Sequence, residues 1–476
     1  LLGALALVFT TLAGADEPSL RIEIRPTDYQ ATEYYLNDVL KADIAGHNAA
    51  EGTIEVIATE SDLPTLWLLG EVTILERSRP FREVQAERHD LGIDMPEEGY
   101  RDYDEVLLWM DQQVAFNPGI AMKVNLTQML GTPQTHEGRD IYALKVSDNV
   151  AQDEDELTFL VDGTHHAREL NSTEMAIDVG TSLVEVYTSG AAPLARTIVD
   201  STEIWIVPVV NPDGLEYVWN VNQFWRKNRR NNGGGVFGVD PNRNYPFLWG
   251  VCGSTSGNPS SETYRGPSPG SEPEVQTMLA LGERIRPTIY LSYHSFGREV
   301  LPPYICANLA EGPMIAGMRD VYRNRMSYAF RPASASGESF EHFYNQFSSV
   351  GFLTEVGDAF QPPFAETREE VRRVRKGWIF LLESMLAGLN SGPIVEGNVT
   401  EAGTGLPIAA EVSSSAVNFT EGERRACEAG YGRYSWFLPQ GQQMLTFSAP
   451  GYQSMQVPVT NAPGGLTVDV ELTPNP

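Results

Sequence analysis

Leu157-Thr-Phe-Leu-Val161, followed within two residues by Thr164-His-His-Ala-Arg-Glu169, is the stretch that decides the fold. A short, nearly unbroken apolar run reads as a strand covered on both faces, the kind that parallel sheets use. Three more runs have the same texture: Glu203-Ile-Trp-Ile-Val-Pro-Val-Val210, Thr288-Ile-Tyr-Leu-Ser-Tyr293 and Gly351-Phe-Leu-Thr354. Helical periodicity lies around them, at Tyr103 to Gln113, Glu174 to Thr188, Glu272 to Ile285 and Arg368 to Leu389. The alternation predicts an α/β fold from about Tyr100 to Asn390, with a mixed, mostly parallel sheet and helices on both faces.

Upstream, Leu20-Arg-Ile-Glu-Ile24, a helical pattern from Thr32 to Asp43, Thr53-Ile-Glu-Val-Ile57, a Leu-rich turn and Glu71-Val-Thr-Ile-Leu75 predict a small α+β domain. With its acidic linker it is assigned to 16–95, and the catalytic-type domain to 96–390. Beyond Gly392 the texture becomes short alternating strands separated by Gly and Pro, from Ile394-Val-Glu-Gly-Asn-Val399 to Leu466-Thr-Val-Asp-Val-Glu-Leu472. Residues 391–476 are therefore expected to form a β-sandwich. It groups no catalytic set of His, Asp and Glu, so a rigid appendage or a binding module for an unidentified partner is the default reading.

The opening apolar run, Leu1 to Phe9, is too short to span a bilayer, and Ala13-Gly14-Ala15 resembles a small-residue cleavage site. Residues 1–15 are read as a secretory leader that the sequence enters partway, which implies a secreted, periplasmic or extracellular protein without a membrane span. The 63 acidic and 34 basic residues give a formal charge of -29, which excludes a basic nucleic-acid footprint. Cys252, Cys306 and Cys427 are too few for a cysteine scaffold or a thiolate metal site. One pair, Cys252 with Cys306, is expected because both lie on loops near the motifs below; three unpaired thiols are the alternative.

In open α/β sheets ligands sit at the carboxyl ends of the strands. Four polar places follow the four strands: Thr164 to Glu169, Asn211-Pro-Asp-Gly214 leading to Trp225-Arg-Lys-Asn228, His294-Ser295, and Glu355. A catalytic zinc takes three His or carboxylate ligands and keeps one position open. His166 and Glu169 have the short spacing of a ligand pair, and His294 is the best placed third. His165 competes with His166 on spacing alone.

These ordered motifs resemble the M14 metallocarboxypeptidases of the carboxypeptidase A type, over roughly Tyr100 to Asn390. The resemblance selects His166 in His166-Ala-Arg-Glu169, and implies one zinc per chain held by His166, Glu169 and His294. It implies an oxyanion role for Arg226 and a carboxylate-binding role for Asn242 and Arg243 within Gly238-Val-Asp-Pro-Asn-Arg-Asn244. Ser261-Glu-Thr-Tyr-Arg-Gly-Pro267 is a further landmark, Ser295 keeps its place, Arg168 supports an outer subsite, and Glu355 in Leu353-Thr-Glu-Val-Gly357 is the catalytic carboxylate. The N-terminal domain resembles the family's activation segment. Ala449-Pro-Gly-Tyr452 resembles a transthyretin-like appended domain. Where many members carry a substrate-capping tyrosine, this sequence reads Tyr328-Ala-Phe-Arg-Pro-Ala-Ser-Ala335, so that role stays unassigned. Phe340 aligns with the base of the side-chain pocket and implies apolar or aromatic C-terminal residues. A register shift of one would put Glu341 there and imply basic ones.

Each role has a physical basis. A carboxylate beside the metal can take a proton from water and return it to the leaving amine. A permanently charged planar guanidinium suits an oxyanion or a terminal carboxylate. The expected function is hydrolysis of the C-terminal peptide bond of peptides or proteins. The alternatives are a same-fold amidase or endopeptidase acting on cell-wall peptides, and a catalytically inactive binding or adhesion protein.

Overall fold

The computed structural model describes residues 18–40, 42–48, 51–386 and 394–476. The expected leader, 1–15, and the expected joint at 390/391 lie outside the described residues.

The N-terminal unit is a four-stranded antiparallel sheet in the order β2-β3-β1-β4, built from β1 (Leu20–Pro26), β2 (Asp43–Asn48), β3 (Thr53–Ala58) and β4 (Gly70–Arg77). Ile22 and Ile24 of β1 and Ile54 and Val56 of β3 point into one small core. The helix expected to reach Asp43 is shorter. It runs Tyr29–Tyr34, continues as a π-helical stretch Tyr35–Leu40, and Asp43 already belongs to a strand.

The central sheet has eight strands: β5 (Ala121–Asn125), β6 (Tyr142–Val146), β7 (Leu157–Asp162), β8 (Thr202–Val207), β9 (Ile289–His294), β10 (Glu299–Leu301), β11 (Ala329–Phe330) and β12 (Val350–Glu355). Their order is β11-β10-β12-β9-β7-β8-β6-β5. The four strands read from the sequence are its parallel centre, β12-β9-β7-β8, and antiparallel pairings flank them. Burial explains their composition. Phe159, Val161, Ile204, Ile206, Ile289 and Leu291 pack on one face with helices Tyr103–Phe116, Leu170–Ser189 and Phe364–Met385. Leu160, Trp205, Tyr290 and Leu353 pack on the other with helices Pro273–Ile285 and Ser339–Phe347. With both faces covered, period-two alternation of polarity is not needed.

The C-terminal unit pairs two sheets. One joins β13 (Ile394–Glu401), β15 (Arg433–Phe437), β18 (Leu466–Thr467) and β19 (Val470–Leu472). The other is β14 (Glu411–Ser414), β16 (Gly441–Ser448) and β17 (Met455–Asn461). Val395, Trp436, Leu445 and Phe447 fill the space between them. Cys252 and Cys306 are disulfide-bonded, and Cys427 is a buried free thiol.

Candidate metal centre and active site

The carboxyl ends of the parallel strands converge on a cavity of about 850 Å³. His294 closes β9 and Glu355 closes β12, and the two are direct partners in the parallel register. Such partners project from the same face of a sheet. After β7 the chain turns through Thr164, whose positive φ of 58° is held by a hydrogen bond from its N–H to Ser172 Oγ and by its own hydroxyl donating to Pro208 O. That turn separates the two adjacent histidines. His165 is directed to Tyr245, 2.9 Å from its hydroxyl, while His166 enters the cavity.

His166 Nδ1 lies 2.7 Å from Glu169 Oε1, His294 Nδ1 lies 3.0 Å from Glu169 Oε2, and the two Nδ1 atoms are 3.1 Å apart. All three residues are buried. These contacts suit a bound cation. His166 Nε2 is 3.0 Å from Asp240 Oδ1, an acceptor, which in a neutral ring places the single proton there. The Nδ1 lone pair then faces a carboxylate oxygen, acceptor against acceptor, and a metal ion between them removes the repulsion. Burial pulls His294 down to about 4, which keeps the imidazole neutral, the form that binds metal. Two imidazole nitrogens and a carboxylate with an open side fit zinc.

Arg226 is carried to this centre by backbone and side-chain ties. Asn211 caps the helix Pro212–Asn220 through Gly214 N–H and donates to His165 O and Lys227 O; Ala167 N–H donates to Arg226 O. The guanidinium makes a forked pair with Asp240 Oδ2 at 2.8 and 3.1 Å and stands 3.7 Å from Glu169. Asp240 thus holds both a ligand imidazole and the Arg226 cation. It lay in a quoted motif but was not singled out, because spacing does not reveal which side chain lies behind a ligand.

Arg243 and Asn242 reach the cavity from the turn Pro241–Arg243. Gly337, with φ of 82°, passes so close to Arg243 O that a Cβ would lie 2.7 Å from it. Arg243 Nη1 donates to Glu338 Oε1 at 2.9 Å, while Glu338 Oε2 is buried without a partner. Glu355 lines the cavity; burial first, and then the Glu169 carboxylate, push it up to about 8 against the pull of Arg331 and Arg226. Arg331 Nη2 is 3.6 Å from Glu355 Oε1, and Arg331 Nε donates to Glu299 Oε2 at 2.6 Å. Arg331 and Glu338 were not named from the sequence, since neither follows one of the four strands.

Three expectations change in detail. Phe340 does not line the cavity; it is fully buried in the core beneath helix Ser339–Phe347, with Phe343 and Tyr290. The carboxylate on the wall is Glu338 and not Glu341, whose Oε1 accepts from Ile305 N–H. Arg168 lines the cavity but is engaged by the N-terminal unit in a forked pair with Asp43, 2.7 Å for Nη2 to Oδ1. Ser295 is at the cavity, its N–H donating to Glu169 Oε2 at 3.1 Å. Tyr328 does not line the cavity, and its buried hydroxyl donates to Glu370.

Residues 119–324 match the family model described as zinc carboxypeptidase. A zinc carboxypeptidase of Saccharothrix mutabilis subsp. capreolus is 41% identical over 159 residues, 33% of this chain and 34% of that protein. Carboxypeptidase A2 of Rattus norvegicus is 32% identical over 231 residues, 48% and 52%. The chain thus spans about a third to a half of the length of these relatives. The fold is similar to that of thrombin activatable fibrinolysis inhibitor (TM-score 0.64, 20% identity, 78% of this chain and 99% of the other). It is likewise similar to carboxypeptidase A from Helicoverpa armigera (TM-score 0.61, 18% identity, 77% and 96%). The matched segment contains all three residues of the metal centre, so the part of the chain that carries the site is similar to the zinc carboxypeptidase family.

Proposed function

We propose that this protein is a zinc-dependent exopeptidase that hydrolyses the C-terminal peptide bond of peptides or proteins. The observation that carries the reading is the meeting of His166, Glu169 and His294 in one cavity with Glu355 and Arg243. Zinc held by His166, Glu169 and His294 would supply an acidified water, with a pKa of about 7, and a counter-charge for the carbonyl oxygen. Glu355 is the carboxylate placed to accept a proton from the attacking water and return it to the leaving amine. Arg226, a cation whose pKa is held above its ordinary value by Asp240 and Glu169 against burial, stabilises the developing oxyanion. Arg243 and Asn242 receive the free α-carboxylate, and Ser295 borders the substrate.

The side-chain preference follows from Glu338. An unpartnered buried carboxylate oxygen requires a donor, and Leu301 and Leu353 offer apolar surface on the same cavity. A long aliphatic stem with a cationic head satisfies both, so we favour C-terminal Lys or Arg over the apolar or aromatic residues first expected.

The N-terminal unit is read as a cover for the site. Asp43, Ala45 and Gly46 line the cavity, Gly46 abuts the Phe296 ring, and Asp43 occupies Arg168, the outer-subsite cation. The two-sheet C-terminal unit supports the transthyretin-like reading of 391–476. An extracellular or periplasmic location is supported by the Cys252–Cys306 disulfide, since such bonds persist in oxidising compartments. Among the described residues no helix is long and apolar enough to cross a membrane.

The test is a panel of peptides with free or amidated C-termini, digested with and without a zinc chelator. Release of single C-terminal residues from free peptides only, abolished by chelator, is the expected result. Equal cleavage of amidated peptides would transfer the activity to an amidase or endopeptidase, and no cleavage with zinc bound would leave a binding protein.

A further inference from the structure

The helix Ser339–Phe347 links two places that the fold otherwise keeps apart. Its first residue donates its N–H to Asn242 Oδ1 at 2.9 Å, and Asn242 Nδ2 approaches His294 Nε2 at 3.3 Å. Glu338, immediately before it, holds Arg243. Tyr344 stands five residues beyond Ser339, about 8 Å along the helix axis. There Tyr344 donates its hydroxyl to Glu311 Oε2 at 2.8 Å, and its carbonyl accepts from Arg425 Nη1 at 2.9 Å.

Arg425 belongs to the C-terminal unit. It is nearly inaccessible, pairs with Glu311 Oε2 at 2.7 Å, and lies over the rings of Tyr344, Phe419 and Trp436 at 4.7, 4.6 and 5.7 Å. Trp436 Nε1 donates to Glu311 Oε1 at 2.5 Å, so both Glu311 oxygens are satisfied from across the joint. Arg424 N–H donates to Asn345 O at 2.7 Å and ties the next helix residue to the same unit. Both Glu311 oxygens and both Arg425 Nη groups are paired, with Nε alone unmatched, so a shift of the buried ion pair strands charge in a medium that cannot solvate it. A packed helix then transmits that constraint along its axis.

We propose that the C-terminal β-unit is a working part of the catalytic site, with Arg425 and Glu311 as positioning residues. By fixing the far end of helix Ser339–Phe347 they set Glu338, Arg243 and Asn242 for the substrate's terminal residue. The proposal rests on the carboxypeptidase reading. It replaces the appendage expected from the sequence with a strut, and it locates the effect in substrate binding rather than in the proton transfers of Glu355, which the β12 ladders with β9 and β10 hold in place.

The test uses the full-length zinc-loaded chain and compares Arg425→Met and Arg425→Lys with Tyr431→Phe, a contact of the same unit with Asp153 O well away from the helix. Steady-state kinetics on peptides ending in Lys or Leu should show KM raised about tenfold in Arg425→Met with little change in kcat, and a narrowed preference between the two peptides. Arg425→Lys should recover part of the loss, and Tyr431→Phe none of the phenotype. If Arg425→Met does not fold, Glu311→Gln, which removes the charge and keeps the acceptor for Trp436, carries the same comparison. Unchanged KM and preference in a folded, zinc-replete variant would overturn the proposal, as would an equal KM rise in Tyr431→Phe. A wild-type chain that releases no C-terminal residue would instead overturn the carboxypeptidase reading, and this proposal with it.

Discussion

His166 Nε2 and Asp240 Oδ1 lie 3.0 Å apart, and the same carboxylate, through Oδ2, grips Arg226. One buried aspartate therefore contacts both a candidate metal ligand and the cation beside it. Asp240→Asn keeps the shape but not the charge, and should weaken zinc about 10- to 100-fold. Competition against a chelator of known affinity measures this, and unchanged affinity would show that His166 needs no such partner.

Glu355→Gln should lower kcat by at least about 100-fold while zinc content stays stoichiometric. A pH consequence follows. In the metal-free protein the Glu355 carboxyl sits at about 8, so at pH 7 it is largely protonated. A divalent cation nearby favours the carboxylate and lowers that value, so zinc binding at pH 7 should release a proton that Glu355→Gln does not release. Calorimetry in two buffers of different ionisation enthalpy counts it; equal proton release by both proteins would exclude Glu355 as its source.

Glu338→Gln should reduce the advantage of Lys-ended over Leu-ended peptides about tenfold or more, the scale of a lost charge-assisted hydrogen bond. Phe340→Ala should leave the preference alone and cost about 3 to 5 kcal/mol in folding stability, as expected for a fully buried aromatic. Thermal melts and the peptide panel separate the two residues, and a preference that follows Phe340 would return the pocket to the apolar reading.

Asp43→Ala removes the partner of a buried guanidinium and should loosen the N-terminal cover. The expected outcome is a higher kcat/KM on short peptides together with faster proteolysis between the N-terminal unit and Tyr103. Slower turnover than the parent would mean that Asp43 supports the site rather than obstructs it.

Glu274 supplies a prediction about stability. It is fully buried; Asn228 Nδ2 donates to its Oε2 and to Glu272 Oε2, and its other oxygen has no partner. Burial, then the Glu272 charge, raise it from 4.5 to about 7. The folded chain therefore binds this proton more tightly than the unfolded chain. The stabilisation is complete below about pH 4.5 and is lost as pH rises through about 7, at most about 3 kcal/mol. Glu274→Gln should flatten that part of the stability profile, and an unaltered slope in urea melts from pH 5 to 8 would exclude Glu274 as its origin.

The centre of the sheet was legible because strands covered on both faces must be apolar, and the functional side chains stand directly after them. Glu169, His294 and Glu355 were picked out that way, whereas the family resemblance was needed to choose His166 over His165. Edge strands β10 and β11 were not, being three and two residues long, too short for a pattern to register. Helix Ser339–Phe347 was missed as an element because it is only nine residues long and rich in aromatic, Ser, His and Asn residues, which are weak helix formers. Arg331, Glu338 and Asp240 gain their roles from approaches across the fold, which no local spacing encodes.

The pairing of His294 with Glu355 through the β9–β12 ladder has an evolutionary and practical corollary. Backbone hydrogen bonds, indifferent to side-chain identity, keep the ligand and the proton-transfer group in step. The two groups therefore stay in register while side chains elsewhere on the cavity wall, such as Leu301 and Glu338, are exchanged, which makes those positions the natural place to graft a new substrate preference.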